Sequence, residues 1–509
     1  MRRDARVSNP NGIYSAVILT EKGIRIGRTT RFLGRWCGIF VLTLMVCSPA
    51  LGIWKLDENY WPFWVDLEEA DNPESRRDQF LGPFIEKVET PERDWTAVRP
   101  LWITYDEHRP LDPHSLHVLY PLFSYRASDP GYYWNLFYLI RGSHYETDGQ
   151  LDSKTFEIIP FYFDHDNPRA PQFSYWGLMP IYGEVKARLF FDRISWVLFP
   201  FYTEWENNGE ITYGTPWPFI RYREGNGSSG FAFWPFFGTF ERPGHYEFKY
   251  LLWPLIYSRV KDLDQEVPTR NYGFLPFYTY DEGPGLVSES YLWPFFGYTD
   301  REDPYYRENR YFWPFLVQGR GEPYVNRWGP FYTHSIRKGV DKKWWMWPLF
   351  KRTEVDTREL NIRTWSFLYV LYWSQRQTAL NPEVEFEASK TFAWPFFSHG
   401  NNGEGRSQFQ LFTPLMPWLK HNEIVRDVYS PLFALYRYEG DDLDDTWRHS
   451  LLFNLVTMEK KEVGHRFTLG PLLDIRTGDE EAGFSILHGL LGRKRVADET
   501  NWKLFWFTL

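Results

Sequence analysis

Few residue groups in this chain have the types and spacing that could do chemistry. Asp164-His165-Asp166-Asn167 gathers metal-ligand side chains in one short run. It follows Pro160-Phe161-Tyr162, where neighbouring units place a polar turn, so a solvated turn is the better reading. Asp441-Asp442-Leu443-Asp444-Asp445 could hold calcium loosely, but it lacks the spaced ligands and the Gly of a dedicated loop. Glu383 and Glu385 could imitate the carboxylate pair of a glycosidase. In a chain whose wet faces carry charges throughout, solvation accounts for them better. No Gly-rich phosphate loop, Gly-x-Ser-x-Gly or His-Glu-x-x-His occurs. The sequence therefore assigns no catalytic residue, no metal site and no cofactor, and it reads as a non-enzyme.

The remaining candidate is a set of tryptophans: Trp234, Trp253, Trp293, Trp313, Trp347 and Trp394. Their indoles could line a site for lipid, glycan or another apolar ligand. A repeated aromatic position is more often core, with each indole packed over a neighbouring Pro.

These tryptophans belong to a repeat. Trp293-Pro294-Phe295-Phe296 is a full copy, and Trp234–Phe237 and Trp394–Phe397 match it. A sister form lacks the Trp, as in Pro200-Phe201-Tyr202 and Pro276-Phe277-Tyr278. About 24 centres recur about every 19 residues from near Tyr60 to Leu509, which means one small unit copied many times. Between centres lie polar turns such as Asn208-Gly209, Asn226-Gly227, Asn402-Gly403 and Asp148-Gly149, the dipeptides tight hairpins prefer. The flanks are rich in Tyr, Phe, Trp, Val and Ile, so the chain is all-β. Tyr246, Phe248 and Tyr250 alternate with Glu247 and Lys249. Phe467 and Leu469 likewise oppose Arg466 and Thr468, and Val384 and Phe386 oppose Glu383 and Glu385. Each arm then has one wet face. At the centres both faces turn apolar, so we expect them buried on both sides.

Pro cannot donate to a ladder, so a Pro in mid-strand marks a bend or a break in pairing. The expected architecture is an array of antiparallel hairpins radiating from a shared apolar hub or shallow barrel. Two alternatives compete: a large transmembrane β-barrel and a β-solenoid. Against the barrel, each Pro would strand a carbonyl in the membrane. Against the solenoid, the Asn-Gly turns favour hairpins.

The Trp-Pro-Phe-Phe and Pro-Phe-Tyr units, with polar turns between them, resemble uncharacterised bacterial envelope proteins rich in aromatic-Pro repeats. The layout also resembles the β-flower, in which hairpin petals surround a shallow apolar barrel. That resemblance implies a cell-envelope location and a lipid-binding role; it implies no catalytic residue.

Bulk properties agree. The chain holds 26 Trp, 33 Tyr and 43 Phe, each able to bury ~150–250 Å². Net charge is −9, with both signs interspersed and no basic stripe for nucleic acid. Residues 1–52 form a basic leader followed by an uncharged run from Trp36 to Trp54, read as a signal peptide or a membrane anchor. Cys47 follows Leu44-Met45-Val46 as a lipid-bearing cysteine would, but Val46 is large for that position. Residues 53–509 form a single repeat domain of an exported, membrane-associated protein. Its expected role is structural or lipid-binding. An outer-membrane channel and a carbohydrate-active enzyme are the other classes. A binding site is expected where the repeat loses its Pro, near Tyr138, Leu368, Phe453 and Leu487.

Overall fold

Period-two alternation, broken about every nine residues by Gly, Pro or Asn, makes short strands. The computed structural model describes residues 53–508, apart from 71, 109–112, 148, 419–422, 462–463, 480 and 497–498. The leader, Cys37, Cys47, Asp148 and Val463 therefore lie outside the described residues. Ala50–Leu509 forms one compact unit. It is a single antiparallel sheet of 46 strands, numbered here β1 to β46, in which each strand pairs with the next. Among the described residues there is one short α-helix, α1 (Glu423–Tyr429). The all-β expectation holds, and antiparallel pairing throughout removes the solenoid of parallel coils.

The repeat centres differ from the sequence expectation. Each is a tight turn between two separate strands, not a bend within one. Phe233 ends a strand, Trp234-Pro235-Phe236 turns, and Phe237 begins the next. A Pro in the turn leaves the ladder intact, because no ladder hydrogen bond is asked of it.

In an up-and-down sheet, successive turns fall on opposite rims. Every aromatic centre joins an odd-numbered strand to the following even one, so all of them lie on one rim. Asn208-Gly209, Asn226-Gly227, Lys338-Gly339 and Asn402-Gly403 join even to odd strands and lie on the opposite rim.

Side chains alternate between two faces. All core clusters lie on one of them, the inner face. One is Tyr175, Val185, Ile194 and Trp196; another is Ala232, Phe240 and Tyr250. The largest runs from Trp54 and Leu56 to Ile103 and Tyr105, and α1 covers it with Val425, Val428 and Tyr429. Gly238 on this face lies under the Tyr250 ring, where an added Cβ would sit 2.5 Å from the ring. Aromatics thus fill the space that the small residues leave.

The ladder does not close. β1 (Trp54–Tyr60) pairs with β2 (Trp64–Glu69), and β46 (Phe507–Thr508) pairs with β45 (Glu499–Leu504). Side chains cover the free edge of β1 instead. They come from β38 (Tyr436–Asp441), β40 (Val456–Lys461) and β41 (Gly464–Leu469). The Trp54 amide donates to Glu439 Oε2 (3.4 Å), and the Leu56 amide donates to Glu459 Oε1. Arg466 Nη1 donates to the Leu56 carbonyl (2.8 Å) and to that of Asp57 (2.9 Å). Asn59 Nδ2 donates to the Asn454 carbonyl (2.9 Å) and to Thr468 Oγ1 (3.0 Å). This reverses the wet face read for the last arm: Arg466 and Thr468 are buried, because they replace the missing neighbour strand.

A buried ionic network backs the seam. Glu86 pairs with Arg99 (2.7 Å), and both are buried. Burial pushes the Glu86 carboxyl up, but the Arg99 and Arg77 guanidinia, with hydrogen bonds from Gln79 and Trp95, outweigh it and hold it at about 2. Burial lowers the Arg77 guanidinium to about 10. Arg437 (2.7 Å) and Arg448 (2.8 Å) flank Glu439 and hold its carboxyl below the usual range against the opposing effect of burial.

One further sequence expectation fails locally. Glu383 to Phe386 are loop, and the strand starts at Glu387. Asn381 Oδ1 accepts the Glu383 amide (3.0 Å), and this Asx turn before Pro382 outcompetes the alternating pattern.

Two outcomes test the seam. Arg466→Met removes the donor to the Asp57 carbonyl, leaves the Leu56 carbonyl to Lys461 and Asp474 to Arg476, and should cost about 1–3 kcal/mol in denaturant unfolding. Hydrogen exchange should rise first in β1. The depressed Glu86 pKa means that its stabilisation is complete above its ordinary value of 4.5 and is lost as pH falls towards about 2. The urea midpoint should therefore fall less steeply between those limits in Glu86→Gln than in the parent chain.

Candidate functional site: an aromatic rim

The strand residues that flank each aromatic turn face each other across the hairpin on the outer face. Their pairing is apolar at nearly every hairpin: Tyr60 with Trp64, Phe233 with Phe237, Leu251 with Ile256, Tyr291 with Phe296, Trp345 with Phe350. It continues to the end of the sheet with Leu451 and Val456, Ile486 and Leu491, and Leu504 and Phe507. Gly214 pairs with Arg221 on the inner face, so at this hairpin Thr215 stands opposite Ile220. The turns add their own apolar side chains, with Phe331 65% and Phe396 67% exposed. Centres expected to be buried on both faces are therefore exposed, because a turn at a rim has no second layer over it.

The apolar band is shallow. Two residues further along the same outer face stand Asp78, Lys87, Glu204, Lys249, Glu289 and Arg352. Two strand residues rise about 7 Å, so charge begins about 7 Å above the first apolar row. One residue in from the rim, the inner face carries buried polar groups such as Asn135, Glu157, Thr203 and Ser290. Exposed aromatics such as Phe231, Trp365 and Phe484 stand among the charges of the second outer row, so the charge-free surface is the turn tips and one outer row.

The tryptophans divide. Trp253 packs on the inner face against Phe248, Tyr250 and Tyr257, each ring centroid 5.6 Å away, and Trp234 belongs to the same cluster. Trp394 is half-buried and donates to the Pro414 carbonyl (2.9 Å). Trp293, Trp313 and Trp347 are exposed on the rim. The set does not form one pocket wall: part is core and part is rim.

Two turn chemistries build this rim. Where Pro is present, the bonds Trp234-Pro235, Trp253-Pro254, Trp293-Pro294, Trp313-Pro314, Trp347-Pro348 and Trp394-Pro395 are cis. Where Pro is absent, consecutive bulky residues take left-handed φ: Phe137 (53°) and Tyr138 (59°), Leu368 (43°) and Tyr369 (55°), Leu487 (48°) and His488 (50°), Phe505 (48°) and Trp506 (65°). Leu452 (48°) and Phe453 (59°) do the same. The opposite rim reaches this conformation with Asn208-Gly209 and Asn226-Gly227. A left-handed bulky residue costs ~1–2 kcal/mol, which Gly avoids. The chain therefore uses the low-cost residues on one rim and retains apolar ones on the other. Leu189-Phe190, with Phe190 95% exposed, is an apolar exception on the opposite rim. The sites expected from loss of Pro are thus strained apolar turns in the same rim. Sequence reasoning missed the rim itself, although the parity of aromatic and polar turns held the signal.

The other candidates are structural. Asp164 to Asp166 lie in a strand, not in the expected turn. His165 Nδ1 meets Thr155 Oγ1 (2.8 Å), and its ring stacks on Tyr175 (5.1 Å). Burial, then Arg188, holds the imidazole below its ordinary pKa. Asp445 in the acidic turn has a left-handed φ of 51° and pairs with Lys460. Asp441 pairs with Arg406 (3.3 Å). Among the described residues no cluster of three or more His, Cys, Asp or Glu could hold a metal ion. No described helix is long and apolar enough to cross a membrane, which says nothing of strands. The chain matches no known protein-family model and no curated protein sequence.

The split predicts separable effects. Trp253→Ala should lower stability by about 2 kcal/mol, roughly half the ~3–5 kcal/mol of a fully buried Trp. Trp347→Ala should change it by less than about 0.5 kcal/mol. Replacing Phe137-Tyr138 by Asn-Gly should raise stability by about 1–2 kcal/mol. Chemical denaturation of the three variants checks all of these.

Proposed function

We propose that this chain is a non-enzymatic cell-envelope protein that binds lipid or another apolar partner through its aromatic rim. The observation that carries this is the retention of large apolar residues at left-handed turn positions on that rim. On the other rim, Asn-Gly supplies two successive left-handed residues at lower cost. Strain kept against an available alternative marks function more strongly than exposure alone. We assign the apolar hub expected from the sequence to this rim, and we regard the array as β-flower-like, with the polar turns as petal tips. Export by the N-terminal segment, and its retention or cleavage, belong to the same proposal.

The outer-membrane barrel remains the second reading, favoured by the all-antiparallel meander. It needs an outward apolar band ~25 Å tall, and charge on the outer face about 7 Å above the first row weighs against it. A carbohydrate-active enzyme would need a carboxyl poised as an acid. Burial raises the Asp66 and Asp281 carboxyls, but these stand on β2 and β24 (Tyr278–Gly283), many strands apart in the meander.

Vesicle flotation of the full chain tests the proposal. The parent protein should float with phosphatidylcholine vesicles. Changing Phe236, Phe277, Phe331 and Phe396 to Glu should abolish flotation while leaving the unfolding midpoint close to that of the parent. A parent that neither floats nor binds an apolar dye, or a variant that floats as well, would overturn it.

A further inference from the structure

We infer that the rim enters a single leaflet of a lipid bilayer edge-on, to interfacial depth, and does not span it. This rests on the lipid-binding reading above and adds the form of the lipid and the depth.

Three features of the rim point the same way. The first is height. Aromatics such as Phe231 and Trp365 continue into the second outer row, but Lys249 and Glu289 stand there with them. The band free of charge is therefore the turn tips plus one outer row, about 7–10 Å, close to the ~5–10 Å by which interfacial elements sink into the headgroup and acyl boundary. Spanning the hydrocarbon core needs ~30 Å. The second is one-sidedness. Directly behind the outer row, the inner face carries the Arg141–Glu157 pair and buried Thr203 and Ser290. The apolar residues of that inner row, such as Trp196, Ala232 and Tyr250, are buried in the core, so no exposed apolar surface continues up the inside there. The third is chemistry. The rim is dense in Trp and Tyr, for example Tyr291 and Trp293, whose rings favour the boundary between water and acyl chains. The next outer row carries both signs, as with Lys249 and Glu289, which suits the headgroup layer and would be expelled from hydrocarbon.

The test uses the full chain with Cys37→Ser and Cys47→Ser, carrying one new cysteine labelled with an environment-sensitive dye. The positions are Phe236→Cys on the rim, Thr239→Cys in the next outer row and Asp264→Cys on the opposite rim. Phosphatidylcholine vesicles contain lipid spin-labelled either near the glycerol or at the chain terminus, with an aqueous quencher either added outside or trapped within. The Phe236 label should be quenched several-fold more by the shallow spin label than by the deep one. The Thr239 and Asp264 labels should respond to external quencher, and no label should respond to trapped quencher. If the chain floats but the Phe236 label responds to the deep spin label or to trapped quencher, the single-leaflet inference fails while lipid binding stands. If the chain does not bind vesicles, both fail. Shielding of the Phe236 label without lipid, accompanied by a doubled sedimenting mass, would assign the rim to a second copy of the chain and overturn the inference.

Discussion

Everything in this molecule follows from the parity of an up-and-down sheet. Each strand pairs with its sequence neighbour, so consecutive turns must alternate between two rims. A repeat that places one aromatic turn and one polar turn in every two strands therefore sorts its chemistry spatially without any long-range instruction. One dislocated strand would move every later aromatic turn to the wrong rim. The sheet keeps phase across 46 strands, including the long connection between Leu411 and Tyr436 that holds α1. The inner face then gathers the core, and the outer face keeps one uncharged apolar row beside the turns, with charges and aromatics mixed beyond it.

An open sheet leaves two edges, and a free edge invites pairing with another chain. The β1 edge is covered without a strand. Carboxylates of Glu439 and Glu459 take its amides, and Arg466 takes its carbonyls. Side chains can do this only if they are buried and charge-compensated, which is why Arg437, Arg448 and Asp474 surround them. The polar face of the last strands is thus its buried face. A ladder would be simpler; side-chain closure needs no matched register between the first and last strands.

Much of the architecture was legible in the sequence. Asn208-Gly209 and Asn226-Gly227 announced hairpins, and the alternation in Tyr246–Leu251 placed Tyr246, Phe248 and Tyr250 together on the inner face. A spacing of about 19 residues is two strands of typical length plus two turns. That arithmetic could have put Pro235 and Pro294 in turns; the search for a mid-strand bend obscured it. The seam was not legible. Arg466 and Thr468 look like an ordinary wet face, and only the approach of β1, more than 400 positions earlier in the chain, buries them. Local pattern records which residues share a face, but not what a distant segment brings against it. Likewise nothing local separates Trp253, packed in the core, from Trp347 on the rim; strand curvature and the neighbouring rings decide it.

The rim also shows what Pro contributes. At Trp234-Pro235 the ring of Pro takes part in the turn and adds apolar surface, and no bulky residue there is left-handed; at Trp293-Pro294 one is, Leu292 (45°). Where Pro is absent, as at Phe137-Tyr138 and Phe505-Trp506, the turn survives with two left-handed bulky residues. Both solutions keep the rim apolar, whereas the lower-cost Asn-Gly solution, present elsewhere in the same chain, would make it polar. Turn geometry alone cannot account for that choice, since all three dipeptide types close a hairpin. The common factor is the apolar surface they present on that rim.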